Sequence, residues 1–324
     1  LSKNTKGDVF KYAGFQFRSF KRILENYNSN NKSPTGTIIC AGTGSGKTKS
    51  FYIPAFLGVV GEIDRQPFTK VISIYPRNVL LADQLREGIS ESLKIYKTLT
   101  DKNKRPITFG ALIGDTPETK NAFDYENSFI RKSWKRHGNE GYEIPFVRSP
   151  DEDKRSKLVW LDKDRKNNKS CLRSIDDLHG EPVIPDGILK LTREEIQKNP
   201  PDFLFISLEM FHREISNPRW YKAFGKGKDV PKPRLLLFDE IHNYAGLHGA
   251  NTPWIIARWK ENTFYNEKSN FHVVGLSATL KNAKEHISNV ACIKEDRIVE
   301  YSPTQDELNI EGREYNILVK GDAS

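Results

Sequence analysis

One segment of the sequence, AGTGSGKT at 41–48, combines closely spaced glycines with a lysine and a threonine. Glycine permits the tight turns that aim successive backbone N–H groups at phosphate oxygens. Lys47 is expected to reach the β- and γ-phosphates of a nucleotide, and the Thr48 hydroxyl to bind Mg²⁺. The alternative is a glycine-rich turn that holds no ligand. The predicted nucleotide-binding residues are Gly42, Thr43, Gly44, Ser45, Gly46, Lys47 and Thr48.

A second segment, LLLFDEIH at 235–242, ends an apolar run with two adjacent carboxylates. We expect Asp239 to hold Mg²⁺ through its water shell and Glu240 to accept a proton from the water that attacks the γ-phosphate. His242 is expected to connect the nucleotide site with the rest of the molecule, although an ordinary surface histidine is the alternative. The predicted catalytic residues are Lys47, Asp239, Glu240 and His242.

A third segment, VVGLSATL at 273–280, places two hydroxyl side chains just after an apolar strand. Ser277 and Thr279 are predicted to hydrogen-bond the acidic segment and so to couple it to other parts of the protein. A simple strand-to-turn sequence is the alternative.

These segments require strands and helices that bring them together. Short apolar runs alternate with helical stretches, the pattern of an α/β fold with a mostly parallel sheet and helices on both faces. We predict helices over 46–60 and 78–97. The predicted strands are Thr37–Cys40, Lys70–Tyr75, Ile107–Ile113, Phe203–Ile206, Arg234–Phe238 and His272–Leu276.

The segment from about 118 to 198 interrupts this alternation with clustered charges and is predicted to be an insertion in a domain that covers 1–300. Its run RKSWKRH at 131–137 places basic residues on either side of Trp134. This arrangement suggests phosphate contacts with base stacking on the tryptophan, whereas a solvated or partner-docking face is the alternative. The basic residues are Arg131, Lys132, Lys135 and Arg136.

The amino-acid composition limits the classes to which this protein can belong. The 324 residues carry 51 Lys and Arg against 42 Asp and Glu, a net charge of +9 that suits a polyanionic partner. No apolar run approaches the roughly 20 residues of a membrane-spanning helix. The three cysteines are widely separated, which argues against a disulfide framework and favours a cytoplasmic location. The chain begins with leucine, and we expect it to be part of a longer protein.

With its motifs in this order, the sequence resembles the first RecA-like core of superfamily-2 DExH helicases, with AGTGSGKT as motif I, DEIH as motif II and SAT as motif III. Within that superfamily, three segments are similar to those of large-helicase-related and MrfA-type DNA helicases. They are YPRNVLLADQLREG (75–88), GDTP (114–117) and the stretch after motif II. SATLKNAKEH and SPTQDELNIEGREY also resemble helicases of phage-defence operons such as DISARM.

The resemblance implies ATP and Mg²⁺ as cofactors and single-stranded nucleic acid, DNA in preference to RNA, as the partner. Relatives have a glutamine that recognises adenine. In this sequence either Gln16 or Lys21 occupies that position. The implied contacts with nucleic acid are Pro76, Arg77, Gly114, Asp115 and Ser207. Ile206 stands where relatives have threonine, so either Ser207 replaces that phosphate contact or the contact is lost.

The family also uses a second RecA-like core, which supplies an arginine finger. Residues 301–324 are expected to begin the linker to such a core, in the same chain or a partner subunit. This chain alone is therefore expected to bind ATP better than it hydrolyses it. The expected function is an ATP-driven helicase motor. A translocase subunit without strand separation and a nucleotide-controlled scaffold are the alternatives.

Overall fold

The computed structural model describes residues 12–29, 33–42, 44–64, 66–124, 130–151, 155–244, 249–264, 270–278 and 280–307. The helices are α1 Gly14–Asn28, α2 Lys47–Gly61, α3 Asn78–Asp101, α4 Ile130–Ser133, α5 Asp162–Lys166, α6 Arg193–Lys198, α7 Leu208–Glu214, α8 Thr252–Phe264 and α9 Ala283–Ala291. The strands are β1 Thr35–Cys40, β2 Val71–Tyr75, β3 Phe109–Leu112, β4 Arg136–His137, β5 Gly141–Arg148, β6 Lys157–Leu161, β7 Arg173–Ser174, β8 Leu189–Lys190, β9 Phe203–Ser207, β10 Leu235–Phe238, β11 His272–Ser277 and β12 Ile298–Tyr301.

Within the described residues, eight strands form one sheet in the order β12-β1-β11-β10-β2-β9-β3-β8. Every pairing in it is parallel. The predicted α/β class is confirmed, and all six predicted strands are present with ends shifted by one or two residues. The sequence interpretation missed the two edge strands, β12 and β8, which are short and only partly apolar.

Alternate residues of each central strand feed two separate apolar layers, as the two-residue period of a strand requires. Ile39 faces the layer formed with α1, α2 and α3, whereas its neighbour Ile38 faces the layer formed with α7, α8 and α9. Because both faces are covered, the strands read as continuous apolar runs. None of the described helices combines the length and the apolar character needed to cross a bilayer.

The charged segment 118–198 contains a small antiparallel sheet in the order β4-β5-β6-β7. Strand β5 packs against α3, and apolar side chains of this small sheet belong to the same cluster as residues of the main core. The segment therefore covers one side of the main domain. Its last part returns to the main sheet, since Leu189 and Lys190 of β8 pair with β3.

Three charged side chains form a buried network at the amino-terminal ends of β2, β3 and β9. Asp202 accepts hydrogen bonds from Lys70 (Nζ to Oδ1, 2.8 Å) and from Arg105 (Nη1 to Oδ2, 2.7 Å). Burial alone would raise the pKa of Asp202, but these two cations lower it below its usual value. Lys70 and Asp202 are at most 1% exposed, so the network links three chain segments inside the fold.

Candidate nucleotide site and nucleic-acid groove

The three predicted motifs meet at one edge of the main sheet. β1, β11 and β10 are adjacent and parallel, so their carboxyl ends lie side by side. The glycine-rich loop follows β1, Ser277 ends β11, and Asp239 follows β10. A hydrogen bond from the backbone N–H of Ala41 to the carbonyl of Ser277 (3.0 Å) joins the start of the glycine-rich loop to the end of β11. This edge is where open α/β sheets hold their ligands.

The glycine-rich loop has the backbone that a phosphate cradle requires. Gly44 and Gly46 have φ values of 79° and 73°, which strain any residue with a side chain. The space beside Gly42 and Gly44 is open, since a Cβ at either position would meet nothing within 4 Å. Ser45 Oγ is buried and has no hydrogen-bond partner among the described residues. Helix α2 begins at Lys47, so its positive N-terminal end faces the loop.

Gln16 of α1 is held against this loop. Its Nε2 donates to the carbonyl of Ser45 (2.8 Å), and its Oε1 accepts from the backbone N–H of Ala13 (2.9 Å). A Cβ on Gly46 would lie 2.5 Å from Nε2, so this close approach also requires glycine. Lys21, the alternative for the adenine-reading position, is largely exposed and lies 3.9 Å from Glu25. The structure therefore places Gln16, and not Lys21, beside the nucleotide loop.

A chain of polar contacts connects the loop with the acidic motif. Lys47 Nζ lies 3.4 Å from Glu240 Oε1. His242 Nδ1 lies 3.3 Å from Glu240 Oε2 and 3.2 Å from Ser277 Oγ. Ser277 is fully buried, and its contact with His242 joins the second motif to the third.

Asp239 is 3% exposed, and its Oδ1 accepts the backbone N–H of Glu240 at 2.9 Å. Burial, and to a lesser extent the neighbouring Glu240 carboxylate, raise the pKa of Asp239 to about 6. Two crowded carboxylates of this kind are stabilised by a cation. Glu240 itself has a φ of 46°, a left-handed conformation that is uncommon for a residue with a side chain and is found at functional sites.

These residues fit ATP and Mg²⁺. Open space, N–H groups and the Ser45 hydroxyl are available to phosphates, and Lys47 supplies a cation that is only 8% exposed. Thr48 lies in the first turn of α2, and Asp239 directly follows β10 at the same edge of the sheet. Two predicted site residues, Thr43 and Thr279, lie outside the described residues.

A groove of about 510 Å³ continues along the same edge of the sheet, beyond the carboxyl ends of β10, β2 and β9. Pro76 and Arg77, two of the residues predicted to contact nucleic acid, line this groove. Arg77 is exposed and has no ion-pair partner in the described part of the chain. The lining residues that the sequence interpretation missed come from α7, the turn after motif II and the start of α8; they are Leu208, Glu209, His212, Asn243, Asn251 and Ile255.

Gly114 and Asp115 form the turn after β3, the next strand along the edge. Gly114 is exposed with open space around its Cα. Ser207 ends β9 and caps α7, because its Oγ accepts the backbone N–H of Met210 at 3.3 Å. The predicted contact residues thus lie along one edge, although the Ser207 oxygen already has a partner within the fold.

The prediction that Trp134 stacks on a base is wrong. The side chain is 0% exposed and packs on Phe123 (ring centroids 5.1 Å apart) and Phe146 (5.8 Å), so neither ring face is open. Its indole N–H donates to the carbonyl of Asp115 (2.8 Å), which fixes the basic run beside the β3 turn. Arg136 is paired with Asp162 at 2.6 Å, whereas Arg131, Lys132 and Lys135 are exposed.

No protein-family model matches the chain. Druantia protein DruE of Escherichia coli (strain UMEA 4076-1) is 27% identical over 256 residues, which is 68% of this chain and 14% of that protein. ATP-dependent helicase hrq1 of Schizosaccharomyces pombe is 24% identical over 171 residues, 50% of this chain and 16% of that protein. An uncharacterized ATP-dependent helicase of Methanocaldococcus jannaschii is 32% identical over 99 residues, 29% of this chain and 13% of that protein. The chain thus spans about one-seventh of the length of these relatives.

Solved structures give the same fold. The DUF1998 helicase MrfA bound to DNA and AMPPNP matches 92% of this chain, and 28% of its own, with a TM-score of 0.51 and 12% identity. The DEAD-box helicase Mss116 bound to ssRNA and UDP-BeF matches 92% of this chain and 42% of its own, with a TM-score of 0.52 and 16% identity. These solved structures share the α/β fold of this chain, and its three motifs and its curated relatives make it similar to superfamily-2 DExH helicases with a RecA-like core.

Proposed function

We propose that this chain is the ATP-binding motor core of a helicase that acts on single-stranded DNA. One observation carries the proposal, namely that a single turn joins the nucleotide site with the groove. The Glu240 side chain lies beside Lys47, and its carbonyl accepts the backbone N–H of Asn243 (2.8 Å), which lines the groove. A change at the γ-phosphate is therefore passed from Lys47 to Glu240, and from the Glu240 carbonyl to Asn243 in the groove.

Lys47 Nζ lies 3.4 Å from Glu240 Oε1, close enough to neutralise that carboxylate. When triphosphate binds, Lys47 turns to the phosphate oxygens and Glu240 is released to accept a proton from water. Thr48 and Asp239 would hold Mg²⁺, which would offset phosphate charge. His242, in contact with both Glu240 and Ser277, responds to the release of the Glu240 carboxylate. These residues thereby bind ATP, position water and transmit the change.

The nucleic-acid path is proposed to run along the sheet edge from the groove to the β3 turn and the basic run. Arg77 provides an exposed cation in the groove, and the hydrogen bond from Trp134 to the carbonyl of Asp115 holds the basic run, with Arg131, Lys132 and Lys135, near that turn. Each lysine or arginine that touches a phosphate contributes to salt-dependent affinity. DNA is proposed over RNA because of the motif resemblance to DNA helicases, and the MrfA structure of the same fold holds DNA.

Three further points belong to this proposal. A second RecA-like core, in a longer chain or a partner subunit, completes the ATPase, which accords with the greater length of the relatives. A role in a defence system rests on the likeness to Druantia protein DruE. A cytoplasmic location rests on the cysteine usage.

A Glu240→Gln variant of the full protein tests the assigned roles. It should retain ATP binding while its turnover falls by about 10²–10⁴, the usual contribution of a general base. Near-normal turnover would reject Glu240 as the base. Strand displacement measured beside translocation on single-stranded DNA then decides between a helicase and the alternative, a translocase that does not separate strands.

A further inference from the structure

Trp254, on the helix that lines one side of the groove, is the largest of the exposed apolar side chains among the described residues. Trp254 is 77% exposed, in contrast to Trp134, Trp160, Trp220 and Trp259, which are at most 1% exposed. Exposing so large an apolar side chain to water is unfavourable, and burying it against a partner would lower the free energy. Such exposure is typical of an aromatic residue whose partner binds from outside.

The position of Trp254 on α8 points to the groove. Asn251 and Ile255 line the groove. At 3.6 residues per turn, Trp254 lies about 60° around the helix from Asn251, and Arg258 follows it one turn later on the same side. The opposite face of α8 is buried through Ile256 and Trp259. Trp254 therefore stands on the outer rim, where α8 leaves the groove.

The surroundings of Trp254 favour a nucleobase over a protein surface. Its helix neighbours on this side, Asn251 and Arg258, are polar and exposed, so along this side of α8 Trp254 is flanked by polar and not by apolar side chains. An exposed aromatic side chain between polar and basic neighbours, next to a groove that contains the exposed Arg77, matches the way single-stranded nucleic acids are bound. Their backbone is held by cations while bases stack on aromatic rings.

We propose that Trp254 is a stacking platform for one base of a single strand whose phosphates lie in the groove at Arg77. This inference rests on the proposed function. It adds a base contact to the proposed path and replaces Trp134, which is buried, as its stacking aromatic residue.

The test compares binding of the full protein to two labelled oligonucleotides of equal charge, one with bases and one with abasic sites throughout. Trp254→Ala should weaken binding of the normal strand by about 5- to 150-fold, the range for loss of one stacking aromatic. The slope of affinity against salt should stay unchanged, because no phosphate contact is lost. Trp254→Phe should recover most of the affinity, and the abasic strand should bind wild type and Trp254→Ala equally.

Tyr221→Ala is the matched control, since Tyr221 is an exposed aromatic residue (44%) beyond the far end of α7. It should leave both affinities unchanged. Equal binding of the normal strand by wild type and Trp254→Ala would overturn the stacking role while the proposed function stands. An equal loss on the abasic strand would overturn it too, since it would indicate a structural or protein-docking role. If wild type binds neither strand, the proposed function fails as well.

Discussion

Replacing Asp239 with asparagine should stabilise the nucleotide-free protein while removing its metal site. Asparagine keeps the oxygen that accepts the Glu240 N–H and removes the buried charge. Burial and the Glu240 carboxylate raise the pKa of Asp239 from 3.8 to about 6. A shift of about two pKa units corresponds to roughly 3 kcal/mol of folding free energy lost on ionisation. We expect a gain of about 1–3 kcal/mol for Asp239→Asn at pH 8.

The sign of the pH dependence follows from the direction of the shift. Because the folded protein raises the pKa of Asp239, the penalty is complete above about pH 6, decreases toward the unfolded value near 3.8, and is absent below it. The gain of Asp239→Asn should therefore be present at pH 8 and lost near pH 4. Urea denaturation without nucleotide or divalent cation measures both values.

Asp229→Asn is the control for this experiment, because Asp229 is an exposed aspartate in the loop before β10. Its stability should change little at either pH. The reasoning is refuted if Asp239→Asn is no more stable than wild type at pH 8, or if its advantage persists at pH 4. The same variant should lose the Mg²⁺ dependence of ATP binding.

Three other substitutions test separate parts of the account. Lys47→Ala should weaken ATP binding at least about tenfold in equilibrium titration, since a charge-assisted contact is lost, and unchanged affinity in a folded variant would reject the phosphate role. Trp134→Ala should cost about 3–5 kcal/mol of unfolding free energy, as for buried aromatic truncations, and a neutral effect would contradict its packing role. Asp202→Asn should cost about 3–5 kcal/mol in chemical denaturation because Lys70 and Arg105 lose their buried partner. A loss below about 1 kcal/mol would show that the network is dispensable.

The convergence of the candidate nucleotide-site residues could be expected from the sequence because each motif is local in sequence. Lys47 and Thr48 follow the glycines directly, and Asp239 and Glu240 directly follow an apolar strand. The parallel sheet then brings these segments to one edge, as the alternation of strands and helices implies. The contact between Gln16 and Ser45 was harder to predict from the sequence, because 29 residues separate them. Only the hydrogen bond in the folded chain shows that they meet.

The groove and the role of the basic run were not predictable in the same way. His212, Asn243 and Asn251 come from separate elements and share no motif, so only the folded sheet edge brings them together. Trp134 sits among four basic residues in the sequence, which suggested exposure, but neighbouring aromatic residues of the small sheet bury it. A run of charged residues shows that the segment lies at the surface, but it does not show which of its side chains are buried.

The rate of ATP hydrolysis by the full protein, measured with and without single-stranded DNA, tests the central claim most directly. The account predicts that DNA stimulates hydrolysis in wild type, and that Arg77→Ala needs more DNA for the same stimulation while its rate without DNA is unchanged. Hydrolysis that is indifferent to DNA in wild type would contradict a motor coupled to the groove.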